Sequence, residues 1–176
     1  MSAALASPSP ARRPTDVSLP ARIAVTLGGG ALGLASLYAL LRAATGIAPP
    51  AADAHGVAVA IHLMSVLPAI PLGLYVLLTR KGGARHRLLG RIWMALMVST
   101  ALSALFIRQL NHGGFSWIHI FVPLTIAIAA LAIASARAGR IAQHRNRLIG
   151  MYLGALVIPG AFAFAPGRLM WVWAFG

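Results

Sequence analysis

Residues 57–79 read VAVAIHLMSVLPAIPLGLYVLLT, and this stretch decides the class of fold. It contains no Asp, Glu, Lys or Arg, and His62 interrupts an otherwise apolar run. At 1.5 Å per residue, a helix of this length crosses the hydrocarbon core of a bilayer, which is about 30 Å thick. The whole chain has the same character, because 59% of its residues are hydrophobic and 10% are charged. The sequence therefore predicts an integral membrane protein.

Four further apolar stretches have the length of a membrane span. The five predicted spans cover residues 23–41, 57–79, 88–107, 115–136 and 148–167. Residues 1–20, rich in Ser, Pro and Ala, are predicted to be a disordered cytoplasmic tail. Residues 21–176 are predicted to form one domain. The predicted fold is all-α, an integral membrane bundle of five transmembrane helices in which helices two to five form two repeated hairpins.

Positive charge is unevenly distributed between the two ends of these spans. All but three of the 15 Lys and Arg residues lie before span one, or beside the loops that join spans two to three and four to five. The exceptions are Arg42, Arg108 and Arg168. Because cytoplasmic loops carry the excess of Lys and Arg, we expect a multi-pass protein of the bacterial inner membrane with a cytoplasmic N-terminus and a periplasmic C-terminus.

The charge balance excludes several kinds of chemistry. The formal net charge is +13, the acidic residues are Asp16 and Asp53, and cysteine is absent. The sequence therefore does not contain the carboxylate pairs that some hydrolases use. It also lacks the cysteines needed for thiol nucleophiles, disulfides and zinc–thiolate sites. The cations lie in short loops and a tail, a pattern that predicts contact with the lipid bilayer and not with nucleic acid.

Residues 62–90 are similar to residues 119–150. His62 aligns with His119, and His86 aligns with His144, while Arg80 and Gly82 align with Arg137 and Gly139. This repeat predicts two hairpins of the same orientation, related by an axis along the membrane normal. It also predicts that His62 and His119 lie near the outer ends of their helices and that His86 and His144 lie at the inner ends.

Each histidine pair has two main interpretations, and histidine's charge change near neutral pH also permits a proton path or pH sensing. Two facing imidazoles can ligate the iron of haem b in a helical bundle, with Arg87 and Arg145 contacting the propionates at the inner site. In the other interpretation, the four histidines are interfacial and bond to headgroups, water or backbone carbonyls. No metal site beyond haem iron is predicted.

Aromatic and small residues suggest structural roles. Tryptophans near span ends commonly anchor a helix at the membrane interface, and that role is predicted for Trp93, Trp117, Trp171 and Trp173. Small residues four apart let helices approach closely, which is predicted for Gly29 with Gly33 and for Gly150 with Gly154. Prolines within spans two, four and five are expected to kink the helices without breaking them.

The segment from His62 to Gly176 resembles the bacterial membrane family called domain of unknown function 2306. The resemblance is carried by residues 80–82 (RKG), 86–91 (HRLLGR), 113–115 (GGF) with His119, 144–145 (HR) and 166–169 (PGRL). It implies a multi-pass inner-membrane protein without an assigned activity.

The chain is also distantly similar to the cytochrome b561 class of dihaem membrane proteins. Those proteins place haem-ligating histidines on four successive helices, the first paired with the third and the second with the fourth. The similarity implies that His62 pairs with His119 and that His86 pairs with His144.

Two functional hypotheses remain open at this stage. One is a non-catalytic subunit or scaffold without a cofactor, which packs with other membrane-complex subunits or as a homo-oligomer. The other is a b-type dihaem electron carrier with quinone as a partner. The sequence lacks an obvious nucleophile and base, which argues against an enzyme, and any reaction is expected to be membrane oxidoreduction or electron transfer.

Overall fold

A computed structural model describes residues 17–51, 54, 56–79, 81–108 and 113–176. These residues form helices, turns and loops, with no strand in the ranges described, so the all-α prediction is confirmed. The helices are α1 (Leu19–Ala44), α2 (Val57–Leu78), α3 (Ala84–Ala104), α4 (Phe121–Arg137), α5 (Ile141–Tyr152), α6 (Ile158–Phe162) and α7 (Leu169–Phe175). A 3-10 turn (Trp117–Ile120) precedes α4, and a π-helical segment (Leu153–Val157) joins α5 to α6.

Three helical stretches are long and apolar enough to cross a membrane. They are Leu19–Ala44, Val57–Leu78 and Trp117–Arg137. Large side chains on their outer faces are exposed, among them Leu34 at 71% and Met64 at 77%. A water-soluble protein rarely exposes so many apolar side chains, so these faces are suited to contact lipid. The other two predicted spans are also helical, but α3 begins with a cluster of arginines.

Several predicted boundaries differ from the helices. Residues 1–16 of the predicted tail lie outside the described ranges, but residues 19 and 20 belong to α1. Pro20 is tolerated there because the first helical turn has no internal partner for its missing N–H. The last predicted span, 148–167, is helical already from Ile141 and ends its continuous helix at Phe162. Long basic side chains allow this early start, since they can reach water from a helix end.

The centre of the bundle is a contact between α2, α3 and α5. Pro68 and Pro71 leave α2 unbroken. The indole Nε1 of Trp93 on α3 donates to the carbonyl of Ala69 at 3.0 Å, and the Tyr152 hydroxyl on α5 donates to that of Ile70 at 3.0 Å. The two aromatic rings lie 6.2 Å apart. We call Trp93 and Tyr152 the aromatic wedge.

The wedge corrects one prediction about tryptophan. Trp93 is fully buried and is not an interfacial anchor, whereas Trp117 is 58% exposed. Burial is favourable because its ring fills space left by Gly73 and its N–H has a carbonyl partner. A Cβ added at Gly73 would lie 2.5 Å from Nε1 of Trp93.

The predicted glycine pairs differ from each other in their surroundings. A Cβ at Gly29 would collide with the Tyr152 hydroxyl, so this glycine does permit close packing of α1 on α5. A Cβ at Gly150 or Gly154 would meet nothing within 4 Å. Those two glycines therefore do not mediate close packing within this chain.

The π-helical segment, Leu153–Val157, lies directly before Pro159. Proline has no N–H to donate to the carbonyl four residues earlier, and a π turn is one way to accommodate that loss without ending the helix. Helical residues consequently run without interruption from Ile141 to Phe162. The predicted distortion at this proline is therefore a widened turn.

Candidate functional site

A groove of about 1380 Å³ is lined by residues of α2, α3, α4 and α5. Most of its wall belongs to α3 and the residues that follow it, where lining side chains recur at every fourth position. They are Gly90, Met94, Val98, Leu102 and Phe106. Such spacing follows one face of a helix. From His86 to Ser103 this face extends about 25 Å, which is most of the thickness of a hydrocarbon core.

The two ends of the groove differ in chemistry. The basic end contains His86, Arg87, Arg91, Arg137 and His144, and the far end lies around Ile61, Ser103 and Phe106. Between them the wall is mainly apolar. The described residues include no Asp or Glu, because the two acids of the sequence, Asp16 and Asp53, lie outside those ranges. No described side-chain carboxylate therefore neutralises the basic end.

His144 is held at the basic end by helix α4. Its Nδ1 lies 2.9 Å from the carbonyl oxygen of Ala132. A carbonyl only accepts hydrogen bonds, so Nδ1 carries the proton and Nε2 of the neutral ring keeps its lone pair. Arg147, one turn further along α5, donates to the carbonyl of Leu131 at 2.6 Å. These two bonds fix the start of α5 against the end of α4.

His86 has different surroundings. Its Nδ1 is buried and has no hydrogen-bond partner in the described part of the chain. Burial lowers the pKa of His86, and the positive charges of Lys81 and His144 lower it further. The neutral ring is therefore favoured in the folded protein.

His62 lies near the far end, and its hydrogen bonds join α2 to α3. Its Nδ1 is 3.0 Å from the carbonyl oxygen of Thr100 and 3.2 Å from the hydroxyl oxygen of Ser103. Because the carbonyl requires Nδ1 to donate, this nitrogen cannot take a proton from Ser103. The contact between His62 and Ser103 is therefore not a nucleophile and its base.

His119 lies in the 3-10 turn before α4. The backbone N–H of Ser116 donates to its Nδ1 at 3.1 Å, and the Ser116 hydroxyl is 3.2 Å away, in a capping box. The Ser116 carbonyl oxygen is also 3.1 Å from Nδ1, but a bond to it would need the opposite tautomer, and the Ser116 N–H can only donate. Nδ1 is therefore the acceptor, and Nε2 carries the proton in the neutral ring. That Nε2 is buried without a partner among the described residues.

The structure brings some of the predicted site residues together. His86, His144 and Arg87 all line the groove, whereas His62, His119 and Arg145 do not. The Nε of Arg145 instead lies 3.4 Å from the side-chain oxygen of Asn146.

Sequence reasoning missed two groove residues, Arg91 and Arg137, which it treated as determinants of topology and, for Arg137, as part of the repeat. A signal for Arg91 was present. It follows Arg87 by four residues and therefore lies on the same face of α3. Arg137 could not be found in this way, since it reaches the groove from a different helix.

The helices, their exposed apolar faces and the three candidate spans define an integral membrane protein. Residues 59–170 match the family described as "Predicted membrane protein (DUF2306)". The match covers more than half of the chain, and the protein belongs to this family, as its sequence motifs predict. No curated protein and no solved structure matches the chain. The distant similarity to the cytochrome b561 class stays a prediction.

Proposed function

We propose that this is a five-span protein of the bacterial inner membrane that acts without catalysis, as a binding subunit of a membrane assembly. Its groove is the working part. One observation carries the proposal: an apolar groove of nearly membrane length ends in five cationic or imidazole side chains. Such a groove suits an amphipathic ligand with an anionic head. The hydrogen bonds of His62 and Ser103 also argue against an acyl-transfer site.

The five-span arrangement is supported by helix length. Helix α3 has 21 residues, and such a helix is about 30 Å long. The unbroken helix from Ile141 to Phe162 has a similar length. The most extensive helix contacts are those of α2 with α3 and of α4 with α5, as two hairpins require.

A reporter assay tests this topology. Reporters fused after Gly46 and Gly113 are expected to be periplasmic, and reporters after Gly83 and Gly139 are expected to be cytoplasmic. The opposite pattern would reverse the orientation, and a mixed pattern would reject five spans.

Scaffolding is proposed to use an outer face of the bundle. A Cβ added at Gly150 or Gly154 would meet no atom of another described element within 4 Å, so a helix of another subunit or of a second copy can approach them closely. Gly154→Leu is expected to reduce recovery of the assembled complex from mild detergent. Gly30→Leu serves as a control, since Gly30 is equally unobstructed but lies on α1 and outside the groove.

A second candidate function is electron transfer by haem b, which the basic end favours. His86 and His144 share the groove, and the Nε2 of His144 keeps a lone pair. These two residues would hold the haem iron, and Arg87 would contact a propionate. Bound haem would supply reversible one-electron chemistry. The pair formed by His62 and His119 fits haem poorly, because the capping box keeps the proton on the Nε2 of His119.

Absorption spectroscopy separates the two candidates. Protein expressed with ample haem and purified in mild detergent is expected to be colourless under the first proposal. Under the second, it shows a Soret band that His86→Ala and His144→Ala remove. A band that survives both substitutions would reject haem binding at the basic end.

A further inference from the structure

We infer that the groove binds a long-chain lipid phosphate of the polyisoprenoid class. Its phosphate group lies at the basic end, and its chain lies along α3. This inference rests on the proposed function, because it names the occupant of the same groove.

The phosphate group is inferred from the positive charge at the basic end of the groove. Arg91 and Arg137 line the groove, and neither has a hydrogen-bond partner among the described residues. No described side-chain carboxylate is available to them. A phosphate monoester carries more than one negative charge near neutral pH, and its oxygens match the planar donors of arginine.

Two further groups at the basic end suit a phosphate. The Nη1 of Arg87 already donates to the carbonyl of Gly82 at 2.8 Å, which restrains this side chain and leaves its other donors available. The buried Nδ1 of His86 has no partner in the described ranges. In the tautomer that protonates this nitrogen, it can donate to a phosphate oxygen. Such a bond would relieve the cost of burying it unpaired.

The chain length is inferred from the dimensions of the groove. Its α3 wall extends about 25 Å, whereas one leaflet of a bilayer contributes only about 15 Å of hydrocarbon. An acyl chain of an ordinary phospholipid would therefore fill only part of the groove. A polyisoprenoid chain is long enough to continue to Phe106.

The groove is also accessible from the membrane. Leu102 is 48% exposed and Phe106 is 70% exposed, although both line the groove. A lipid can therefore enter sideways from the bilayer without crossing the bundle. The apolar wall then replaces the lipid tails that would otherwise surround the chain.

A comparison of the affinities for three lipids tests the inference. Purified protein in mild detergent is titrated with a long polyisoprenyl phosphate, with the polyisoprenol of the same chain length, and with dioleoyl phosphatidic acid. Binding is read by native mass spectrometry. We expect the polyisoprenyl phosphate to bind at least about tenfold more tightly than either of the others.

Matched variants locate the site. Arg91→Gln and Arg137→Gln are each expected to weaken binding of the polyisoprenyl phosphate about tenfold, because each removes a charge-assisted contact. Ala95→Trp is expected to weaken it similarly by filling the groove. Arg140→Gln and Ala127→Trp are the controls, since both residues are exposed outside the groove and should leave binding unchanged. Circular dichroism and gel filtration confirm that each variant folds.

Several results would overturn the inference. Equal binding of phosphatidic acid would indicate ordinary lipid solvation, and equal binding of polyisoprenol would reject an anion site. Unchanged binding by the folded groove variants would place the lipid elsewhere. A Soret band lost in His86→Ala would assign the basic end to haem. The topology assay is independent, so five spans without lipid selectivity would reject only this inference.

Discussion

The basic end of the groove and the region near its far end each contain two histidines of the sequence repeat, but only the histidines at the basic end line the groove. At the basic end, His86 and His144 line the groove beside arginines that no side-chain carboxylate of the described residues neutralises. Near the far end, His62 bonds to α3 and His119 belongs to a capping box. The repeat aligns His86 with His144 and His62 with His119, so the two aligned pairs, and not the members of one pair, differ in role. The basic end is suited to bind a ligand, whereas His62 joins α2 to α3 and His119 caps the turn before α4.

The largest expected effect is a loss of stability from a substitution at the centre of the bundle, which would disturb both ends of the groove. Gly73→Val places a side chain against the aromatic wedge, where a Cβ would lie 2.5 Å from Trp93 and 2.7 Å from Tyr152. Overpacking of this kind should lower the free energy of unfolding by about 3 kcal/mol. A denaturation series in mixed micelles measures the change. Gly154→Val is the control, because nothing lies within 4 Å of its added Cβ.

Removing one hydrogen bond from the wedge should have a smaller effect. Trp93→Phe leaves the carbonyl of Ala69 without its indole donor in a buried environment. We expect a loss of about 2 kcal/mol in the same unfolding measurement. Trp117→Phe changes an exposed ring and should cost much less. Equal losses in the two variants would contradict the central role assigned to Trp93.

Replacing one histidine at a time by alanine tests the comparison between the two ends. His62→Ala removes a hydrogen bond between α2 and α3 and should cost about 1 kcal/mol. His86→Ala removes a side chain whose buried Nδ1 has no described partner, so it should change stability less. For ligand binding the order should reverse, with His86→Ala the more damaging. A larger stability loss in His86→Ala would reject this division of roles.

The smallest expected effect is on pH dependence. His86 lies just before the predicted span 88–107, and burial and the charges of Lys81 and His144 lower its pKa below 6.5. As pH falls through 6.5, the unfolded chain therefore takes up a proton before the folded protein does. Stability should decline over that range, while it should be insensitive to His86 above it. His86→Gln should flatten the profile, and an unchanged slope would assign the decline to other groups.

Local chain properties made the class of fold predictable. The apolar stretch 57–79 corresponds almost residue for residue to α2, because hydrophobicity over a membrane length is visible in composition alone. The end of the last helix was less predictable. Ala163 and Gly167 are as compatible with an apolar span as the residues before them, but the structure ends the continuous helix at Phe162.

The site could be predicted only in part. The sequence identified His86, His144 and Arg87 as candidates, and the structure brings all three to the groove. It could not show that Arg137 joins them, since this requires the relative rotation of α3 and α4. The sequence also treated His62 and His119 as possible haem ligands alongside His86 and His144. The structure instead gives His62 and His119 hydrogen bonds to neighbouring backbone groups.

The sequence by itself determined membrane character, helical structure and the clustering of positive charge, because each depends on residues close together in the chain. Tertiary structure decided which side chains meet. Trp93 became part of the core rather than an anchor because Gly73 leaves space for it and Ala69 offers a carbonyl. The same packing fixes the rotation of each helix about its axis. That rotation, which hydropathy does not encode, determines whether a histidine faces the groove or a backbone partner.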